Sequence, residues 1–246
     1  AVRLRWAFGV ALLTAIILPY TLGKWTPMIA LGLLLAIWII GAGFVNLRER
    51  LTQLKSAGNS PGKSLGARLR SLPRGYWGML VAHFGVGVFI VGVTMVRGYE
   101  TERDVKMKVG DAVTVGGHRF TFKGADEIKG PNYVAARGTV EVEPVDGGKP
   151  LLMHPEKRLY KVQGMPMTEA AIRSGLTGDL YVSLGEMLDD KTWTVRVYIK
   201  PFVDWIWGGA FLMAIGGLLA LSDRRYRVAV KAVQLPPAVV AGSAPA

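Results

Sequence analysis

Three histidines and no cysteine set the range of metal and nucleophile chemistry open to this chain of 246 residues. Without thiols there is no disulfide frame, no thiolate chemistry and no Cys-ligated metal or cluster. His83 stands apart because it lies inside an apolar stretch, seven residues after Tyr76. At about 1.5 Å per residue that is about 10 Å along a helix. An ionisable group at such depth in a bilayer is costly and points by default to function. The neutral imidazole offers one donor and one acceptor nitrogen, and either can bind a metal. Met79 lies one helical turn before His83 and Gly87 one turn after it, so a flat ligand could approach the backbone above the ring. The other reading is a histidine that only hydrogen-bonds a neighbouring helix, and residue types alone leave both open.

His118 follows a Gly-Gly turn and His154 precedes Pro155. Neither has a second ligand at metal-like spacing, so both read as exposed or edge histidines. The cluster of Glu102, Arg103 and Asp104 could dock a partner, but reads first as a self-paired, solvated rim. Phe202, Trp205, Trp207 and Trp25 suit an aromatic belt at a membrane surface. No nucleotide-binding glycine loop, Ser/His/Asp set or paired-carboxylate arrangement is present, and no catalytic residue is assigned.

The elements that must position His83 follow from hydropathy and charge. Half of the residues are hydrophobic, yet the formal net charge is +12. The two agree if apolar residues gather in spans and basic ones in loops on one side. Four stretches, 6–22, 26–45, 76–96 and 202–221, are predicted to cross a hydrocarbon core of ~30 Å. The first is the shortest and contains Pro19. Asp204 in the fourth sits within a turn of its end. Glycines 78, 85 and 92 recur on a face of the third span other than that of His83, a spacing that suits close packing of a second helix.

Residues 46–75 carry Arg48, Arg50, Lys55, Lys63, Arg68, Arg70 and Arg74 against Glu49, and the tail carries Arg224, Arg225, Arg227 and Lys231 against Asp223. Residues 97–200 are close to neutral, with 16 basic and 15 acidic side chains. This asymmetry predicts a cytoplasmic basic loop and tail, with residues 97–201 on the opposite, periplasmic face. It also argues against nucleic-acid binding, since the positive charge follows the spans instead of forming one patch.

The expected fold class is therefore an α-helical multi-span membrane protein with an inserted all-β, mainly antiparallel, extracytoplasmic domain. Its parts are a transmembrane hairpin (1–45), a cytoplasmic basic loop (46–75), a span with His83 (76–96), a periplasmic β-rich domain (97–201), a last span (202–221) and a basic, disordered tail (222–246). Within the loop, Leu47, Leu51 and Leu54 mark a short amphipathic piece, and residues 56–62 read as flexible. In the domain, residues 105–109, 112–115, 118–123, 133–142 and 192–200 read as strands among six or so, with alternation placing Val140 with Val142, and Val195 with Val197 and Ile199, on shared faces. Residues 167–173 and 181–188 read as helices. The chain begins at Ala1 amid basic and then apolar sequence, and is expected to extend upstream.

Seven collinear strings give a further lead. They are Gly-Met-Leu-Val-Ala-His-Phe-Gly around His83, Glu-Arg-Asp-Val-Lys-Met at 102–107, Gly-Pro-Asn-Tyr at 130–133, and Glu-Lys-Arg-Leu-Tyr at 156–160. After these come Met-Thr-Glu-Ala-Ala-Ile at 167–172, Gly-Asp-Leu-Tyr-Val-Ser-Leu-Gly-Glu at 178–186, and Lys-Pro-Phe-Val-Asp-Trp-Ile-Trp at 200–207. In this order and topology the chain resembles the C-terminal part of the CcmF family, haem-lyase membrane subunits of bacterial cytochrome c maturation. The resemblance runs over about residues 1–225 and does not separate the general lyase from a paralogue dedicated to one cytochrome, such as the nitrite-reductase haem lyase.

The resemblance implies a location in the bacterial inner membrane. It also implies partners: a haem chaperone, a thiol-handling subunit that presents the Cys-x-x-Cys-His segment, apocytochrome c, and quinol as the source of electrons. It implies a resident haem b, with His83 matching one of two membrane histidines that bind its iron. The second axial ligand, the family's outer-face histidines and its Trp-rich segment are expected in the upstream part of the same protein or in a companion chain. His118 and His154 match none of these, and this chain alone is expected not to perform the ligation. The alternative is a non-catalytic membrane scaffold that recruits haem chaperone and apocytochrome. A transporter would need several intramembrane polar groups or broken helices, and only His83 and Asp204 qualify.

Overall fold

Long apolar runs and short alternating runs separate cleanly along the chain. The computed structural model describes residues 4–56, 64–162, 164–189 and 191–223. Two helices open it, α1 (Arg5–Thr21) and α2 (Pro27–Ser56), followed by the short α3 (Leu65–Arg70) and then α4 (Arg74–Tyr99). A β domain comes next, and α5 (Val203–Leu221) ends the described chain.

Among the described residues, three helices are long and apolar enough to cross a membrane: Pro27–Lys55, Arg74–Tyr99 and Val203–Leu221. The first predicted span is helical and apolar but has only 17 residues, so the expected count of four falls to three on length and composition. It still packs antiparallel on α2, with Phe8 edge-on to Trp38 at 5.1 Å and Ala15 against Ile29 and Leu33. The leucines at 47, 51 and 54 form no separate piece. They continue α2, whose apolar run leads into its basic end without a breaker. The flexible stretch expected at 56–62 falls almost wholly outside the described residues, as does the basic tail beyond Asp223.

Glycine spacing decides how α4 meets α5. A Cβ placed on Gly85 would lie 2.7 Å from the Met213 amide nitrogen and 2.8 Å from the Gly209 carbonyl oxygen. Gly78 and Gly92 face α5 at similarly short range, and Gly209 and Gly216 return the contact toward α4. Backbone thus lies on backbone, the arrangement that van der Waals packing favours where no hydrophobic drive exists between helices. At the far end, the Gly75 amide donates to Asp223 Oδ2 at 2.8 Å. This satisfies one of the orphan donors that open α4, whose N-cap is a proline.

The β domain contains β1 (Thr101–Met107), β2 (Ala112–Val115), β3 (His118–Lys129), β4 (Tyr133–Pro144) and β5 (Leu151–Met153). It continues with β6 (Glu156–Tyr160), β7 (Pro166–Glu169), β8 (Ala171–Arg173), β9 (Gly178–Asp189) and β10 (Thr192–Pro201). One antiparallel sheet runs β1-β10-β9-β8. The other runs β2-β3-β4-β6-β7, with β5 also on β4. Val182, Leu184, Val195 and Val197 of the first sheet close on Phe120, Phe122, Val140 and Val142 of the second, all at 2% exposure or less. The alternation expected for β4 and β10 is present.

The helices expected at 167–173 and 181–188 are strands. Their apolar spacing suits either period. In 178–189, Val182 and Leu184 alternate into the core while Tyr181 and Ser183 face outward, and pairing to β10 and β8 on either side settles the choice. Ten strands among the described residues replace the expected six.

Only Glu100 separates α4 from β1, and only Phe202 separates β10 from α5. Phe202 makes that corner with φ 58° and ψ 27°, a left-handed conformation rare for a bulky residue. It is held there by its amide donating to Thr177 O at 3.2 Å and by its ring, edge-on to Trp205 at 5.2 Å. Trp205 Nε1 in turn donates to Leu176 O at 3.1 Å.

Candidate haem-ligand site

His83 sits in the first half of α4, a helix fixed by α5 on its glycine face. Its Nδ1 lies 2.8 Å from the carbonyl oxygen of Met79, one turn back. A carbonyl can only accept, so in the neutral imidazole Nδ1 carries the proton and Nε2 keeps its lone pair. The side chain is exposed at the helix surface, which leaves Nε2 open to a ligand. This is the arrangement of metal-binding histidines, where the second nitrogen donates to a backbone carbonyl that fixes the tautomer and raises ligand basicity.

Two hollows flank the ring. One, of about 260 Å³, is walled by Ile40, Phe44, Trp77, Phe84 and Leu212; the other, of about 320 Å³, by Trp38, Asn46 and Met79. The first is almost wholly apolar, the surroundings that a macrocycle's faces require. His83 therefore fits one axial ligand of a haem iron. No cluster of three or more His, Cys, Asp or Glu that could hold another metal ion exists among the described residues.

The reading of Gly87 as an open approach for a flat ligand is overturned. Gly87 is buried, and a Cβ there would meet Ile40 Cγ1 at 2.5 Å and the Ala36 carbonyl at 3.3 Å. The missing side chain makes room for α2, and the free space lies beside His83 instead. Asn46, which sequence reasoning missed, borders that space and accepts the Tyr76 hydroxyl at 2.8 Å. Its position, thirty residues before Tyr76, gave no local signal.

The remaining candidates take bland roles. His118 Nδ1 contacts Gly116 O at 3.2 Å at the β2–β3 turn, and His154 Nδ1 lies 3.4 Å from Thr139 Oγ1 on an exposed edge. Asp104 and Glu102 both pair with Arg196 across β1 and β10, so the cluster is a rim paired to the neighbouring strand instead of to itself. Hydrogen bonding to Arg196 holds the Asp104 carboxyl below its usual range. Trp25 and Trp207 are exposed at helix ends. Asp204 occupies the first turn of α5, where a negative charge favours the helix dipole.

One carboxylate in the domain is nearly closed to water, while its two cationic partners stay partly exposed. Glu156, 6% exposed, accepts from Arg137 Nε and Arg158 Nε, each at 2.7 Å. Arg158 also lies over the Tyr133 ring, 4.6 Å from its centroid. Burial pushes the Glu156 carboxyl up, but the hydrogen bonds and charges of the two arginines together outweigh it, and the group titrates below its ordinary value.

Comparison with known proteins follows the same lines. The family model described as the CcmF C-terminal beta-sandwich matches residues 98–201. Among curated relatives, the cytochrome c-type biogenesis protein CcmF of Pseudomonas aeruginosa is 46% identical over 198 residues, 80% of this chain and 29% of its own length. Its namesake in Escherichia coli K12 is 41% identical over 235 residues, 95% of this chain and 34% of its own. The cytochrome c-type biogenesis protein NrfE of Haemophilus influenzae is 30% identical over 194 residues, 78% and 27%. A solved structure named cytochrome c heme lyase CcmF has the same fold, with a TM-score of 0.67 at 20% identity, over 89% of this chain and 34% of that one. The chain spans about a third of the length of the curated relatives it matches. By family model, relatives and fold alike, the chain matches the C-terminal portion of the CcmF family.

Proposed function

We propose that this chain serves in cytochrome c maturation as the C-terminal part of a haem lyase, with His83 as one axial ligand of a haem b held within the membrane. The observation that carries the reading is the Nδ1 contact to Met79 O at 2.8 Å, which leaves Nε2 as the coordinating nitrogen. The relatives' names supply the pathway, cytochrome c-type biogenesis.

A bound haem would supply one-electron chemistry at iron, with quinol as the reductant. The chain's own residues do the rest. The Met79 carbonyl holds the proton on Nδ1 and orients the ring. Phe44, Trp77 and Phe84 exclude water from one side of it, and Trp38 and Met79 border the other. The helices span the bacterial inner membrane with residues 97–201 in the periplasm, a reading that the charge asymmetry supports. There the β domain faces the haem chaperone, the thiol-handling subunit and apocytochrome c. The second axial ligand comes from the upstream part of the protein or from a companion chain.

The test is a reduced-minus-oxidised optical spectrum of the purified full-length protein. In His83→Gly the b-type bands should be lost, and added imidazole should restore them. Bands unchanged in both His83→Gly and His83→Ala would reject the ligand role and leave the scaffold reading standing.

A further inference from the structure

A hollow larger than either of those beside His83 lies elsewhere among the described residues. It measures about 580 Å³ and lies between the start of α2 and the last turns of α4, at the end of the helices that carries the β domain. Ile29, Leu35 and Val93 form apolar walls, and Thr94 adds a hydroxyl. Lys24 and Arg97 line the same hollow. Both are exposed, and neither forms an ion pair among the described residues.

Two exposed cations that line one apolar groove call for an anion joined to an apolar body. We propose that this groove binds one anionic phospholipid of the outer leaflet, with its phosphate between Lys24 and Arg97 and an acyl chain along Ile29, Leu35 and Val93. The inference rests on the spanning topology proposed above, but not on any role of His83. A short apolar trough, open along its side, suits an acyl chain already in the bilayer. The paired cations select the headgroup, because each basic side chain near a lipid surface is worth roughly a fivefold change in affinity.

Native mass spectrometry of the full chain in a neutral detergent tests this, with phosphatidylglycerol and phosphatidylcholine of the same acyl chains added in parallel. Phosphatidylglycerol should bind at least tenfold more tightly. Lys24→Gln and Arg97→Gln should each cost roughly fivefold, and the double variant should bind both lipids equally. Lys24→Arg should keep the preference, which guards against reading a folding defect as lost binding. His83→Ala should leave the preference unchanged, so the outcome is independent of the haem reading. Equal binding of the two lipids by the unaltered chain would overturn the proposal, as would a preference that survives in the double variant. So would millimolar inorganic phosphate displacing phosphatidylglycerol completely, since the site would then be one for a free anion.

Discussion

Replacing Gly85 by alanine should loosen the α4–α5 pair, and the size of the effect can be worked from the contact itself. The new methyl carbon would start 2.7 Å from Met213 N and 2.8 Å from Gly209 O. Both are backbone atoms, so no rotamer change relieves them, and the helices must move apart. Separation also thins the neighbouring glycine contacts at Gly78 and Gly92, which face the same helix. Overpacking of this kind costs about 1–3 kcal/mol, against less than ~1 kcal/mol regained from alanine's better helix propensity. A net loss of about 1–2 kcal/mol should follow.

Gly217→Ala is the control. It lies on α5 itself, and its Cβ would meet nothing within 4 Å, so it should be neutral or slightly stabilising. The assay is unfolding of the full chain from a mild detergent by added dodecyl sulfate, followed by far-ultraviolet circular dichroism. Gly85→Ala should lower the midpoint and Gly217→Ala should not. Combined with Gly209→Ala, Gly85→Ala should cost less than the sum of the singles, because one separation serves both methyl groups. Equal midpoints for Gly85→Ala and Gly217→Ala would refute the backbone-on-backbone contact as the source of helix pairing.

Two further outcomes concern charge. Glu156→Gln should destabilise the β domain by about 3 kcal/mol at neutral pH, the low end for a broken buried pair because both arginines remain partly in water. The group's folded pKa lies below its unfolded value, so its contribution is full above about pH 4.3 and fades as pH falls through the folded value. Melts of the full chain monitored by tryptophan fluorescence should show a flatter acid limb in the variant, and identical acid limbs would contradict the assignment. Asp223→Ala removes the acceptor of the Gly75 amide; at about 1 kcal/mol for a lost cap, hydrogen exchange at Gly75 should quicken roughly fivefold, and unchanged exchange would count against the contact.

What could be read in the sequence was whatever has a period. Val195, Val197 and Ile199 announced a strand by alternation, and glycines 78, 85 and 92 announced a helix-packing face by their spacing of seven. His83 announced itself by being ionisable in an apolar run. The failures share a cause too. Residues 178–189 carry apolar side chains at intervals that suit a helix or a strand, and only the pairing on both sides decides. Gly87 was read through its own helix, whereas its meaning lies in Ile40 of another. The contact of Asp223 with Gly75 joins residues 148 apart, and the groove at Lys24 and Arg97 joins two helices that no local pattern connects.

The one-residue joints at Glu100 and Phe202 have a mechanical consequence. Strands β1 and β10 pair from Thr101 with Ile199 onward, directly beyond two helices locked by their glycines, so no linker longer than one residue separates the β domain from α4 or α5. The assembly is a stiff lever. His83 lies sixteen residues below Tyr99, about 24 Å along the axis, so each degree of domain tilt about the joint would carry the imidazole about 0.4 Å sideways. A load applied to the β domain would thus reach His83 as displacement instead of being lost in slack chain.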